Sequence, residues 1–334
     1  MPQSAAAQPQ APEPTVVRPE PADQLVETEH VVAIAGREIR YTVTTGTLIL
    51  REESEKSGEA AGEGAGESEG EKPRAAVFFV AYTRTDAEDV TRRPLMFSFN
   101  GGPGSSSVWL HLGVLGPRRV DLDDTGNLPA PPFRLVDNEF SLLDETDLVF
   151  IDPVSTGYSR PVPGEKAKDF HTFKKDIESV GDFIRLYTTR YRRWGSPKFI
   201  IGESYGTTRA AGLAGYLQER LGMYLNGLAL VSSVLDFQTL EFLPSNDLPA
   251  ILYLPAYAAT AWYHQRLAPE LQQDLQQTLR EVEAFAIGGN FFDGNHLARA
   301  RLTRFMTCGA ILRIHTFAGG GELLINRIRI GRRR

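Results

Sequence analysis

FIIGESYGTTRAAG, residues 199–212, decides the reading of this chain. A short apolar run ends at Gly202, Ser204 stands between Gly202 and Gly206, and TTRAAGLAGYLQERL continues with the composition of a helix. The pattern predicts a buried strand, a tight turn and a helix. In a G-x-S-x-G turn of this kind the serine sits on a sharp, strained bend with its oxygen exposed. The small flanking residues let neighbouring backbone pass close by. The helix that follows directs its positive end toward any negative charge that develops at the turn. Ser204 is therefore the candidate nucleophile. The competing reading is a glycine-rich turn in which the serine merely caps a helix.

A nucleophilic serine needs amide donors for the oxyanion it creates. The amide of Tyr205, the next residue, is one candidate, and an earlier strand-to-loop junction should supply another. NGGPG, residues 100–104, follows the apolar strand PLMFSF and fits that need, because glycines let backbone N–H groups face a ligand. Losing one such donor typically raises a barrier by about 2.7–4 kcal/mol. A phosphate-binding loop is excluded, since no lysine stands in this stretch and the G-x-x-x-x-G-K-[ST] pattern is absent.

Working outward, DLVFID (147–152), PKFII (197–201) and LNGLALVSSV (225–234) are further short apolar strands. Between them, residues 172–194 carry Ile177, Val180, Phe183, Ile184 and Tyr187 at helical spacing. Short apolar strands separated by helices predict a mostly parallel sheet covered on both faces. Upstream, HVVAIAGREIRYTVTTGTLILR alternates apolar and polar residues around a glycine turn, which predicts antiparallel strands. Residues 1–26 read as a disordered Pro/Ala-rich tail, 27–235 as the α/β core, and 52–74 within it as an acidic Gly/Glu-rich loop. Residues 236–304 read as helices without strands, a lid over a pocket. The stretch 305–334, with its triple glycine and arginine-dense end, has no amphipathic pattern.

A net charge of -6 argues against nucleic acid as a partner. No run of about 18 apolar residues predicts a membrane span. The amino terminus lacks the basic and apolar regions of a secretion signal, and Cys308 is the only cysteine, so the expectation is a cytoplasmic protein. No H-E-x-x-H or paired Cys/His spacing points to a metal, and no cofactor is expected. Tyr158, Tyr205, Trp109 and Trp262 could line a substrate pocket, although aromatic residues more often fill cores.

FSFNGGPGSSS (97–107), LVFIDPVSTGYSRP (148–161) and IIGESYGTTRAAGLA (200–214), in this order, resemble the serine carboxypeptidase family, a branch of the α/β hydrolases. Residues 235–249 and 257–264 resemble its bacterial members less distinctively. The resemblance implies release of the carboxy-terminal residue of a peptide with a free C-terminus through an acyl-enzyme on Ser204. It implies an oxyanion hole from the amides of Gly102 and Tyr205. Asn100 and a protonated Glu203 would hydrogen-bond the substrate's terminal carboxylate, which ties binding to acidic pH because two carboxyl groups in one pocket cannot both ionise cheaply.

Two departures stand out. Where the family has a second glutamate before Leu-Gly-Pro, this chain has Val114 ahead of Leu115, Gly116 and Pro117. Ser105 stands where secreted relatives carry a disulfide cysteine. The second departure concerns the general base, which in this fold arrives in the order Ser, Asp or Glu, His. After Ser204 come His264 in a lid helix, His296 in a loop and His315 after a short apolar run, of which His315 is the positional candidate. Asp236 reads either as the acid or as an ordinary residue at a helix start. Neither matches the family motif. The expected fold is therefore an α/β-hydrolase-like, mostly parallel sheet with antiparallel amino-terminal strands, a helical lid and its last strands missing. The alternatives are an esterase or acyltransferase on the same scaffold, or a non-catalytic fragment that binds peptides or partners.

Overall fold

The computed structural model describes residues 20–55, 68–123, 126–243, 246 and 248–288. Three long strands come first: β1 (Gln24–Ile34), β2 (Arg37–Glu55) and β3 (Ser68–Arg84). They pair antiparallel in chain order, with the β1–β2 turn at Ala35 and Gly36 where the sequence places its glycine. Both β2 and β3 run into the acidic tract that reads as loop. Backbone pairing continues there through Arg51↔Pro73 and Glu53↔Glu71, with register shifts, because ladder hydrogen bonds do not require apolar side chains. The expected loop at 52–74 is thereby shortened, and residues 56–67 lie outside those described.

The parallel part follows. It contains β4 (Leu95–Phe99), β7 (Asp147–Ile151), β9 (Lys198–Glu203) and β10 (Gly227–Val231). Strand order across the sheet is β1-β2-β3-β7-β4-β9-β10. The pairs β7–β4, β4–β9 and β9–β10 are parallel. A small ribbon of β5 (Arg118–Val120) and β6 (Leu135–Asp137) stands apart, and β8 (Arg160–Pro161) pairs with β3.

The alternation of each strand explains its two cores. Leu95, Phe97 and Phe99 of β4, Val149 and Ile151 of β7, and Ile200 of β9 bury on one face. There they meet Ile177, Val180, Phe183, Ile184 and Tyr187 of α2 (Phe173–Arg190) and Leu213 and Leu217 of α3 (Tyr205–Leu221). Leu148, Phe150 and Ile201 bury on the other face with Leu110 and Leu115. These last two belong to α1 (Val108–Leu110) and the π-helical turn His111–Leu115 that follows it. Burial on both faces is why these strands read as unbroken apolar runs. Thr172 caps α2, its side chain accepting from the Lys175 amide.

The chain divides between Leu235 and Asp236 into two compact units. In the second, α4 (Leu248–Tyr263) and α5 (Leu275–Ile287) follow a 3-10 turn, Phe237–Leu240. Asp236 caps that turn by accepting from the Gln238 amide, the helix-start role. His264 directly follows α4, its ring edge-on to Tyr263. His296, His315, Cys308 and the whole of 305–334 lie outside the described residues, as do residues 1–19. Among the described residues, no helix is long and apolar enough to cross a membrane.

Candidate active site

The site forms where β4 and β9 end side by side. Their register aligns Phe99 with Gly202, so NGG and GES leave the sheet as neighbours. Ser204 sits at φ 56°, ψ -125°, between the last residue of β9 and the first of α3. A positive φ at a residue with a Cβ is strained, and here the surroundings enforce it. The Ser204 amide donates to Val231 O at 3.0 Å, and Ser204 O accepts from the Thr207 amide at 2.9 Å. The sharp bend brings the chain against itself: a Cβ on Gly202 would collide with Gly206 O. That collision is the physical content of the G-x-S-x-G spacing.

Gly101 carries a similar constraint. Its Cα lies so close to Tyr205 that a Cβ there would strike the Tyr205 nitrogen, with Glu203 O 2.7 Å away. The NGG loop therefore rests directly on the elbow, and the Gly102 and Tyr205 amides belong to adjoining pieces of backbone. Gly102, exposed, has φ 107°, open only to glycine at low cost.

Asn100 is fully buried, and both ends of its amide are used. Oδ1 accepts from the Leu110 amide at 3.0 Å, which fixes which end faces outward. Nδ2 then donates to Glu203 Oε2 at 3.0 Å. Asn100, Glu203, Ser204, Gly102 and Tyr205 are thus brought together as the sequence reading grouped them. Val114, in the π-helical turn, is 53% exposed and presents no polar group.

A third loop joins them through Asp152, which the sequence reading did not single out. Its Oδ1 accepts from the Ser107 amide at 2.9 Å and its Oδ2 from the Tyr158 amide at 3.3 Å. Burial raises the Asp152 carboxyl, and these backbone donors work against that rise. Ser107 Oγ also donates to Ile151 O. The signal was present in the sequence: a carboxylate ending an apolar strand immediately before a Pro/Gly/Ser loop. Tyr158 and Trp109 are 75% and 69% exposed, so neither is a core aromatic.

Among the described residues, no hydrogen bond joins Ser204 Oγ to an imidazole. His111, the histidine held against the sheet, is committed elsewhere. Its Nε2 lies 2.5 Å from the Tyr82 hydroxyl and its ring stacks on Phe150 at 4.4 Å between centroids. Burial lowers its pKa to about 4, so it is neutral, and its Nε2 is taken up by the hydrogen bond with the Tyr82 hydroxyl. No cluster of His, Cys, Asp and Glu able to hold a metal occurs among the described residues.

A mostly parallel sheet with a serine on a strained strand-to-helix elbow, next to a glycine loop from the neighbouring strand, defines an α/β-hydrolase-like protein. The model of the serine carboxypeptidase family matches residues 67–282, and the chain belongs to that family. Pheromone-processing carboxypeptidase KEX1 of Saccharomyces cerevisiae is 36% identical over 135 residues, which cover 38% of this chain and 17% of that protein. Carboxypeptidase Y homolog A of Paracoccidioides brasiliensis is 32% identical over 114 residues, covering 34% and 18%. The matched stretch is therefore less than a fifth of either relative. The crystal structure of the prohormone-processing KEX1 carboxypeptidase from Saccharomyces cerevisiae aligns with a TM-score of 0.42 and 22% identity, over 78% of this chain and 52% of that one.

Proposed function

We propose that this chain is a serine-type carboxypeptidase-like hydrolase, which releases the carboxy-terminal residue of peptides through an acyl-enzyme on Ser204. The observation that carries the reading is the Asn100–Glu203 hydrogen bond beside the Ser204 elbow. It supports the reading because it joins an amide and a carboxyl group, both able to hydrogen-bond a terminal carboxylate, at the residue that precedes Ser204.

In this reading Ser204 Oγ attacks the carbonyl carbon of the last peptide bond. The carbonyl oxygen becomes an oxyanion held by the Gly102 and Tyr205 N–H groups, and the start of α3 adds its dipole. Collapse of the tetrahedral species breaks the C–N bond, the departing amine takes a proton, and the acyl group stays on Ser204. Water then attacks the ester and regenerates the serine. Asn100 Nδ2 and the Glu203 carboxyl group are the partners of the substrate's terminal carboxylate. The step requires a proton acceptor for Ser204, and reaction with a fluorophosphonate probe reports whether one is in place. Labelling of the wild type and none of Ser204→Ala supports a live site, whereas an unlabelled wild type would overturn the enzymatic reading. Peptides with free and amidated ends then test the class. Cleavage of the free acid alone is expected, and equal handling of both would sink the carboxypeptidase assignment.

A further inference from the structure

One buried ion pair next to this site is unused by the reading above. Arg209, on the second turn of α3, is 2% exposed and faces Asp176, on the first turn of α2. Its guanidinium is divided between two acceptors. Nε donates to Asp176 Oδ2 at 2.8 Å, and Nη1 donates to the main-chain oxygen of Asn100 at 2.8 Å. The Tyr205 hydroxyl donates to the same Asp176 oxygen at 3.3 Å. The guanidinium carbon also lies 5.1 Å from the centre of the Phe99 ring and 5.2 Å from that of Tyr205, within cation–π range.

The end of β4, the start of α3 and the start of α2 thus converge on one cation. The peptide that Arg209 grips links Asn100 to Gly101. Holding its carbonyl fixes that peptide plane, whose N–H is that of Gly101, and so anchors the Gly101 Cα from which the next peptide, carrying the Gly102 N–H, departs. The other half of the arrangement holds Tyr205 by two contacts, its ring against the guanidinium and its hydroxyl on Asp176, and the Tyr205 N–H is the second oxyanion donor of the proposed reaction. A glycine-rich loop has little intrinsic preference for one backbone conformation, so a buried fork of fixed shape can supply what the loop lacks.

We propose that Arg209, oriented by Asp176, is a positioning residue for the oxyanion hole, aligning its two donors through Asn100 and Tyr205 without touching substrate. This rests on the assignment of Gly102 and Tyr205 as the donors. A lysine at 209 keeps the charge but presents a point donor that cannot serve Asp176 and Asn100 O in the same geometry.

Arg209→Lys is the test, read in two independent ways. Amide hydrogen exchange measured by mass spectrometry should rise about tenfold or more in residues 100–106, and stay near wild type in β3 and β7. Acylation by an activated ester should slow about ten- to a hundredfold with KM within about twofold, the pattern of donors displaced rather than removed. Unchanged exchange in 100–106, or a rise spread evenly along α2 and α3, would overturn the proposal in favour of a plain packing role. If Arg209→Lys does not fold, Tyr205→Phe, which removes only the hydroxyl bond to Asp176, is read by the same two measurements with a smaller effect in the same direction. An unreactive wild type combined with raised exchange in 100–106 would remove the enzymatic reading and leave the positioning role standing.

Discussion

At the scale of single residues, the site is a set of backbone exclusions before it is a set of functional groups. Gly101 carries no side chain because any Cβ would occupy the space at the Tyr205 nitrogen, the place an oxyanion donor must keep open. Gly101→Ala is therefore expected to lower fluorophosphonate labelling at least about a hundredfold, the scale of losing one donor. Far-ultraviolet circular dichroism checks that the fold is retained, and wild-type labelling of a folded variant would refute the assignment. Glu203 gives a second test. If its carboxyl group hydrogen-bonds the substrate's terminal carboxylate, removing that group must weaken binding of the free-acid peptide. Glu203→Ala should therefore raise KM for free-acid peptides about tenfold while fluorophosphonate labelling of Ser204 stays near wild type, and an unchanged KM would exclude Glu203 from carboxylate binding. These residues were legible in the sequence because their spacing is dictated by backbone geometry within single loops. Arg209 and Asp176 were not singled out, since their meaning depends on two helices and a strand meeting in space. The available hint was a charge on the stripe Arg209, Leu213, Leu217, where a core-facing residue belongs.

At the scale of elements, the parallel strands are fastened at the end opposite the elbow. Asp147, which opens β7, accepts from Arg93 Nε at 2.9 Å and Arg193 Nη1 at 2.6 Å, and the backbone of Arg84 donates to it at 3.1 Å. Arg193 Nη2 in turn donates to Arg93 O at 2.8 Å. The register follows from this clamp, with Leu95 aligned to both Asp147 and Lys198. Because Arg193 is 2% exposed, Asp147→Asn leaves a buried cation without its anion, a change that typically costs about 3–5 kcal/mol. Urea unfolding should show that loss, while labelling of the folded fraction at Ser204 stays at the wild-type rate. The π-helical turn supplies a second measurable property. With its pKa lowered to about 4 by burial, His111 stays neutral in the folded protein over a range in which the unfolded chain, with an ordinary imidazole near about 6.5, takes up a proton. Stability from this group is full above about pH 6.5 and falls as pH drops toward about 4, by at most about 3 kcal/mol. Replacing His111 with Gln, which still offers Tyr82 a hydrogen-bonding partner, should remove that part of the pH slope, and an unaltered slope would assign it to other groups.

At the scale of the whole molecule, the parallel strands were legible because each is a short apolar run bounded by turn residues, whereas their order across the sheet was not. The reach of β2 and β3 into the acidic tract was not, since ladder hydrogen bonds leave no mark on side-chain composition. The helices of the second unit were readable as long stretches with no strand between them. The consequence that remains concerns β10. It terminates the path of the sheet, and among the described residues no strand pairs with its outer edge. Leu228, Leu230 and Val231 on it are 42, 39 and 37% exposed, unlike the buried runs of β4 and β7. An apolar edge strand with unpaired N–H and C=O groups is a template for pairing with another chain. The protein is therefore expected to self-associate through this edge with rising concentration, and sedimentation velocity across about a tenfold range of concentration reads this directly. Leu230→Lys places a charge on the edge strand, the device by which natural sheets blunt such edges, and should shift the distribution toward monomer. If Leu230→Lys sediments as the wild type does at every concentration, association does not run through β10 and the edge is covered in solution.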